Sequence, residues 1–406
     1  VRDHFVFLLI WVKISSFPQE HAIKFITLAG GGLHMRIGVP REIKEGEYRV
    51  GLTPEAVREF VGAGHDVTVE TNAGAGINAT DQDYVSAGAK IAPAAAQIFA
   101  ESDLIIKVKE PQESEWTKLH EGQILFAFLH LAADLPQTKG LIASRCTAVA
   151  FETIPGPEGQ GLPLLAPMSE VAGRLSIEAA GLALQRQNGG QGLLLGGVAG
   201  VPPARIVVLG GGVAGTQAAR MAAGLGADIT ILDRSLLRLR QLDELFQGRA
   251  KTRFASAAAI EDEIFAADAV IGAVLIPGAA APKLVTKQML HGMKEGAVLV
   301  DISIDQGGCF ESSHPTTHAH PTFIKDGIVH YCVANIPGAV PLTSTRALNN
   351  AMLPYGLALA AGGLAAIAGN AALRAGLNVH GGHVTHPAVA KSLGLALNPP
   401  ETALAA

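Results

Sequence analysis

Residues 205–215 read RIVVLGGGVAG. An apolar run of strand-forming residues enters Gly210-x-Gly212-x-x-Gly215, and an Ala-rich helical stretch follows. A lone GxGxxG is a weak signal. Here a strand precedes it, a helix follows it, and a second strand-like run, DITILD, ends at Asp233. Glycines at those positions let the backbone turn sharply and approach a pyrophosphate, while the helix N-terminus turns free N–H groups and its positive dipole end toward it. Asp233 stands where a carboxylate accepts hydrogen bonds from an adenosine ribose. It also repels a 2′-phosphate, which favours NAD over NADP, although the adjacent Arg234 softens that preference.

Outward from this turn the same alternation continues. AVIGAVL and AVLVDIS give further strands downstream, and from Met35 onward IGVP, DVTVE, DLIIKVKE, GQILFAFLHL and TAVAFE alternate with helical stretches. Strands separated by helical patterns predict βαβ units and parallel sheets, an α/β fold. Thr53-Pro54-Glu55 reads as a helix start, with Thr53 as N-cap. The Pro- and Gly-rich passage from Pro155 to Pro167 marks a junction, after which Ser169 is expected to cap a helix reaching about Asn188. The expected division is residues 35–163, then a dinucleotide-binding unit over 164–341, then a strand-free helical part over 342–406 that packs back on the first unit.

At roughly 150 residues per domain, 406 residues make two to three domains. With 49% hydrophobic residues the chain has material for a core, which excludes disorder as its default state. A formal charge of -5 argues against nucleic acid as a partner, because phosphate binding needs clustered Lys and Arg. Three cysteines, Cys146, Cys309 and Cys332, with no CxxC spacing fit the reducing cytoplasm. Residues 1–34 differ in character from the rest of the chain, and Met35 is the expected true start. The apolar run Phe5 to Val12 is too short to span a bilayer. The uncharged stretches Leu353 to Leu373 and Gly189 to Ala204 are dominated by Gly and Ala, which suits tight packing inside protein better than a membrane.

A nicotinamide cofactor implies hydride transfer with an acid/base for the substrate proton. His130, closing ILFAFLH, is the clearest acid/base, since imidazole titrates near neutral pH; by itself such a histidine is more often structural. Arg49 in GEYRVGLTP and Lys109 in DLIIKVKEP are fixed cations suited to a substrate carboxylate. Asp305, before the turn Gln306-Gly307-Gly308, is the candidate carboxylate, with Asp301 within the strand as its alternative. His314, His318 and His320 suggest a metal cluster, but Pro315 and Pro321 forbid the helix that an HxxxH site needs, so no metal is expected and the segment reads as a polar loop near the cleft.

These residues lie in motifs that carry a family resemblance over nearly all of the chain from Met35. MRIGVPREIK, YRVGLTP, LIIKVKEP, FLHLA, APMSEVAGR, VLGGGVAG, IGAVLIPGA and VLVDISIDQGGCFE, in this order, closely resemble NAD-dependent alanine dehydrogenases. The resemblance implies a substrate domain built from both chain ends, with a Rossmann dinucleotide domain inserted, and a homo-hexamer. It implies reversible oxidative deamination of L-alanine to pyruvate and ammonium, with NAD as acceptor. Carried over by position, Arg49 and Lys109 would bind the carboxylate and carbonyl region, and His130 would be the acid/base. Asp305 would hold or activate the water that attacks iminopyruvate, and Asn335 in VANIPG would stand near substrate and nicotinamide. Ser169, Val274 and Leu275 would line the cofactor cleft, with Gly210, Gly212, Val213, Gly215 and Asp233 on the phosphate and adenosine side. The nearest rival is the NAD(H)-binding subunit of a proton-translocating transhydrogenase, which shares RVxxTP and the glycine turn but lacks a histidine at the position of His130. A saccharopine-forming enzyme acting on lysine is a third reading, disfavoured by FLHLA and IDQGGCFE. Side activity on glyoxylate is compatible with the family.

Overall fold

A computed structural model describes residues 33–274 and 281–405. All but the last two residues of the expected leader lie outside them, as does Leu275. Six strands open the described chain: β1 (Arg36–Val39), β2 (Asp66–Glu70), β3 (Lys90–Ala92), β4 (Leu104–Ile106), β5 (Ile124–Ala127) and β6 (Thr147–Ala150). They pair in parallel in the order β3-β2-β1-β4-β5-β6. Every residue of β4, β5 and β6 is buried. Helices cover both faces of such a sheet, which is why these strands are continuous apolar runs rather than alternating ones.

Seven strands form a second sheet: β7 (Arg205–Leu209), β8 (Asp228–Asp233), β9 (Lys251–Phe254), β10 (Ala269–Gly272), β11 (Val298–Asp301), β12 (Thr322–Lys325) and β13 (Ile328–Tyr331). Six run parallel in the order β9-β8-β7-β10-β11-β13, and β12 is antiparallel at the edge. Both sheets therefore reverse their winding beside their first strand, between β1 and β4 and between β7 and β10. Ligands of doubly wound sheets bind outside the carboxyl ends of the strands at that switch.

The chain then returns to the first lobe through the helix Pro341–Gly369. Its Leu348, Met352, Leu359 and Ile367 share one core with Ile37, Val39, Phe60, Leu104 and Phe126. Asn349 of the same helix accepts from the Thr53 amide at 2.9 Å and donates to the Gly51 carbonyl at 3.1 Å, pinning the loop that carries Arg49. By length and composition this is the one helix among the described residues apolar enough to cross a membrane. It is broken at Gly363, where φ is +52° and ψ −130°. The other uncharged stretch, 189–204, forms turns with an isolated Val198–Val201 bridge.

Two expectations are corrected. The C-terminal part is not strand-free: β14 (Leu377–His380) pairs antiparallel with β6, and β15 (His383–Val384) pairs with β14, extending the first sheet to eight strands. Four-residue strands carry too little periodicity to separate from helical text. Ser169 is not a cap: the helix runs Ala166–Ala183, with Pro in its first turn and Leu165 at the N-cap. Proline pre-sets helical φ, so the helix begins one turn earlier than a serine cap would place it. Thr53 does cap the helix Pro54–Gly62, its side chain accepting from the Ala56 amide at 3.2 Å.

Candidate active site

In the second lobe the glycine turn joins β7 to the helix Val213–Gly224. Gly210 has φ +99°, and a Cβ on Gly215 would lie 1.8 Å from the Gly210 carbonyl oxygen, so neither position admits a side chain. Around Gly212, by contrast, a Cβ would meet nothing within 4 Å, and the helix has no side-chain cap there. The open side of the turn thus faces the first amides of a helix, the arrangement that cradles an anionic phosphate. Val213, at the first helical position, is exposed, and Val274 packs over the turn, with its Cγ2 3.1 Å from where a Gly210 Cβ would be. Ser169 lies one turn before Gly173, whose missing Cβ would sit 2.1 Å from the Ala214 carbonyl, which places this serine's face beside the same helix start.

Asp233 ends β8 and accepts from the Gly211 amide at 2.8 Å and the Ser235 amide at 2.8 Å. Arg238 donates its Nε to the Gly211 carbonyl at 2.6 Å and reaches Thr216 Oγ1 at 2.7 Å. The peptides flanking Gly211 are held by a carboxylate and a guanidinium, so the turn is preformed. The residues fit a dinucleotide: open space at Gly212, helix amides behind it, and a carboxylate at the end of the second strand.

In the first lobe the candidates gather beyond the carboxyl ends of β1, β4 and β5. Arg49 is buried, and its Nε and Nη2 donate to the two Glu47 carboxylate oxygens at 2.7 and 2.5 Å. Its Nη2 also reaches Asn335 Oδ1 at 2.8 Å, and Asn335 Nδ2 donates to Glu47 at 3.0 Å. Burial alone would raise the Glu47 carboxyl, but the hydrogen bonds and charge of Arg49, with Asn335, outweigh it and lower it to about 2. Asn335 adopts a left-handed backbone, and its backbone N–H donates to Asp305 Oδ2 at 3.4 Å. Arg49, Asn335 and Asp305, far apart in sequence and from two lobes, therefore meet in one network.

Lys109 lies three residues beyond β4 and is nearly buried, its Nζ 3.9 Å from Glu110. The end of β4 that precedes it packs against Arg49's loop at Gly51, whose missing Cβ would lie 2.3 Å from the Ile106 carbonyl. Just before it, Lys107 is fully buried between Glu42 at 3.0 Å and Glu115 at 2.8 Å. Burial would lower the Lys107 pKa, but the two carboxylates hold it above its usual value. Glu42 also accepts from the Val108 amide at 2.6 Å, so the triad fixes the segment that delivers Lys109. His130 lies three residues beyond β5, with an exposed side chain in a left-handed backbone, φ 52°. Neither Lys109 nor His130 hydrogen-bonds to the Arg49 network.

The two aspartates separate by environment. Asp301 is fully buried and accepts from Ser313 Oγ at 2.6 Å and the Cys309 amide at 3.0 Å; burial raises its pKa, and these bonds oppose the rise. It braces the turn that follows β11. Asp305 is exposed and faces the Asn335 backbone amide, so of the two it is the carboxylate open to solvent. The histidines do not converge: His314 stacks on Phe323, while His318 Nε2 lies 3.3 Å from the Asn335 carbonyl. Among the described residues no group of His, Cys, Asp and Glu is arranged to hold a metal. Glu47, Glu42 and Asn349 were not singled out in the sequence. Only Glu47 had a local signal, two residues before Arg49.

Comparison with known proteins agrees with this geometry. The family model "Alanine dehydrogenase/PNT, N-terminal domain" matches residues 38–172, and "Alanine dehydrogenase/PNT, C-terminal domain" matches 176–387. An alanine dehydrogenase of Halomonas elongata is 56% identical over 362 residues, 89% of this chain and 97% of that protein. A solved L-alanine dehydrogenase superposes with a TM-score of 0.86 at 49% identity, covering 89% of this chain and 99% of the other. A solved transhydrogenase from Sinorhizobium meliloti gives a TM-score of 0.74 at 28% identity, over 87% and 99%. With a glycine turn at a helix start in one lobe, a buried Arg49 meeting Asn335 across the lobes, and both halves matched in sequence and shape, the chain belongs to the alanine dehydrogenase/PNT family.

Proposed function

We propose that this enzyme catalyses the reversible oxidative deamination of L-alanine to pyruvate and ammonium, with NAD as the redox partner. Residues 35–163 and 342–406 act as the substrate domain and 164–341 as the cofactor domain. The observation that carries the reading is the Arg49–Asn335–Asp305 network, which sets a buried guanidinium and an exposed carboxylate on the same cleft. The identity to alanine dehydrogenases, about twice that to the transhydrogenase structure, supports it over the transhydrogenase alternative.

NAD, when bound, accepts the hydride from the alanine Cα. The chain's own residues do the rest. Gly212 and the amides at the start of the helix Val213–Gly224 hold the pyrophosphate, flanked by Gly210 and Gly215. Asp233 holds the adenosine ribose and disfavours a 2′-phosphate. Ser169 and Val274 line the cofactor cleft. Arg49 and Lys109 bind the substrate carboxylate and carbonyl region, Arg49 through Nη1, which Glu47 does not engage and which rests 3.1 Å from Met168 Sδ. His130 takes the proton released as water adds to iminopyruvate and returns it to the nitrogen as ammonia departs. Asp305 orients the water that attacks iminopyruvate, and its negative charge favours the iminium. A homo-hexameric cytoplasmic enzyme without a metal completes the reading, in keeping with three buried unpaired cysteines.

The test runs the reaction backward. NADH oxidation by the purified chain should require both pyruvate and ammonium and should be far slower with NADPH. NADH binding without oxidation under any combination of oxo acid and ammonium would move the assignment to a transhydrogenase-like binding subunit.

A further inference from the structure

We propose that Glu152 is the positioning residue of His130: its carboxylate holds the backbone that aims the acid/base imidazole. The proposal rests on His130 being that acid/base. His130 sits at φ 52° and ψ 34°, a left-handed conformation that is unfavourable for a residue with a Cβ and persists only where its surroundings impose it. What imposes it comes from the neighbouring strand. Glu152 lies in the short turn Phe151–Thr153 that leaves β6, the partner of β5. Its Oε1 accepts from the His130 amide at 2.7 Å, and its two oxygens share the Leu129 amide, each at 3.2 Å.

The other side of the same peptide is held as well. The Leu129 carbonyl accepts from Nε2 of Gln137, a fully buried side chain, at 3.1 Å. The carbonyl of residue 129 and the amide of residue 130 belong to one planar unit, so Gln137 and Glu152 fix its orientation from opposite ends. Beyond it, Ser392 in the C-terminal helix Pro387–Leu393 donates to the Ala132 carbonyl at 2.7 Å, clamping the adjoining turn. The imidazole itself is exposed and lies parallel to the Phe128 ring, with centroids 5.8 Å apart. An exposed ring has few contacts of its own to aim it. Its direction is set at the backbone, and among the described residues Glu152 is the charged group bonded to the Leu129 and His130 amides.

Glu152→Gln and Glu152→Asp separate reach from charge. Glutamine keeps an acceptor oxygen at full length, whereas aspartate keeps the charge but falls one methylene short. Measured with His130→Ala on the full chain, the readouts are kcat and KM for L-alanine oxidation and NADH affinity by fluorescence. We expect H130A to lower kcat by about 10²- to 10⁴-fold, the usual range for a lost acid/base. E152D should lower kcat by about 10²-fold, the cost of a misplacement of about 1 Å, with NADH affinity unchanged. E152Q should stay within about tenfold of wild type, having lost only part of one charged hydrogen bond. If E152D does not fold, Glu152→Ala takes its place with the same expected loss. A wild-type kcat in E152D or E152A beside an inactive H130A overturns the positioning role alone. So does a loss spread equally over kcat and NADH affinity, or E152D outperforming E152Q. Full activity in H130A removes the acid/base assignment and this proposal with it.

Discussion

Glu47 accepts three hydrogen bonds from Arg49, one of them from its backbone amide, and one from Asn335 with its side chain wholly buried, and that arrangement has a cost in acid. Its pKa falls from 4.5 to about 2 because the hydrogen bonds and charge of Arg49 outweigh the burial that opposes them. A carboxyl depressed in the folded state stabilises fully above its unfolded pKa and loses that stabilisation as pH falls through the folded one. The window is therefore about pH 4.5 down to about 2. The shift corresponds to about 3 kcal/mol at neutral pH. Urea unfolding of wild type and Glu47→Gln at pH 7 and pH 3 reads it directly. Wild type should be the more stable protein at pH 7, and its advantage should shrink toward pH 3. An advantage that does not change with pH would mean the pair is not ionised in the way its geometry implies.

At the scale of elements, the glycine turn makes two opposite predictions from neighbouring positions. Gly215→Ala drives a Cβ against the Gly210 carbonyl and should destabilise the cofactor lobe by about 1–3 kcal/mol or more, seen as a lower Tm. Gly212→Ala has open space and a backbone, φ −65°, that alanine tolerates, so its Tm should stay close to wild type. It should nonetheless weaken NADH binding by about tenfold or more, about 1.4 kcal/mol, because the methyl enters the phosphate's place. Equal Tm losses in both would show that the turn is merely structural. This turn was legible because its residues are adjacent, as were β7, β10 and β11, whose buried faces leave continuous apolar runs. The strands KIA and KTRF, β3 and β9, were not, because they are short and polar at the ends of their sheets. The hairpin β12–β13 did carry a signal: Asp326 and Gly327, with φ 50° and 77°, form a two-residue turn between alternating strands.

For the molecule as a whole, what could not be read is what the fold brings together across distance. Asn349 pins Thr53 from 296 residues away, and Asn335 meets Arg49 from 286, so nothing local marks either pairing. The candidate side chains could be picked from motifs, but of the carboxylates that hold them only Glu47 is a near neighbour in sequence; Glu42 reaches Val108 across 66 residues and Glu152 reaches His130 across 22, so their roles appear only in the folded sheet. Two doubly wound lobes then turn the ends of their strands toward one cleft. The chemistry proposed for these residues is alanine oxidation by way of His130. The measurement is NADH formation, followed at 340 nm, by wild type and His130→Ala with L-alanine and NAD at alkaline pH. Wild type should turn over, and the variant should fall by about 10²-fold or more with NADH still bound. NAD binding without alanine-dependent turnover in wild type, or an undiminished variant, would contradict it.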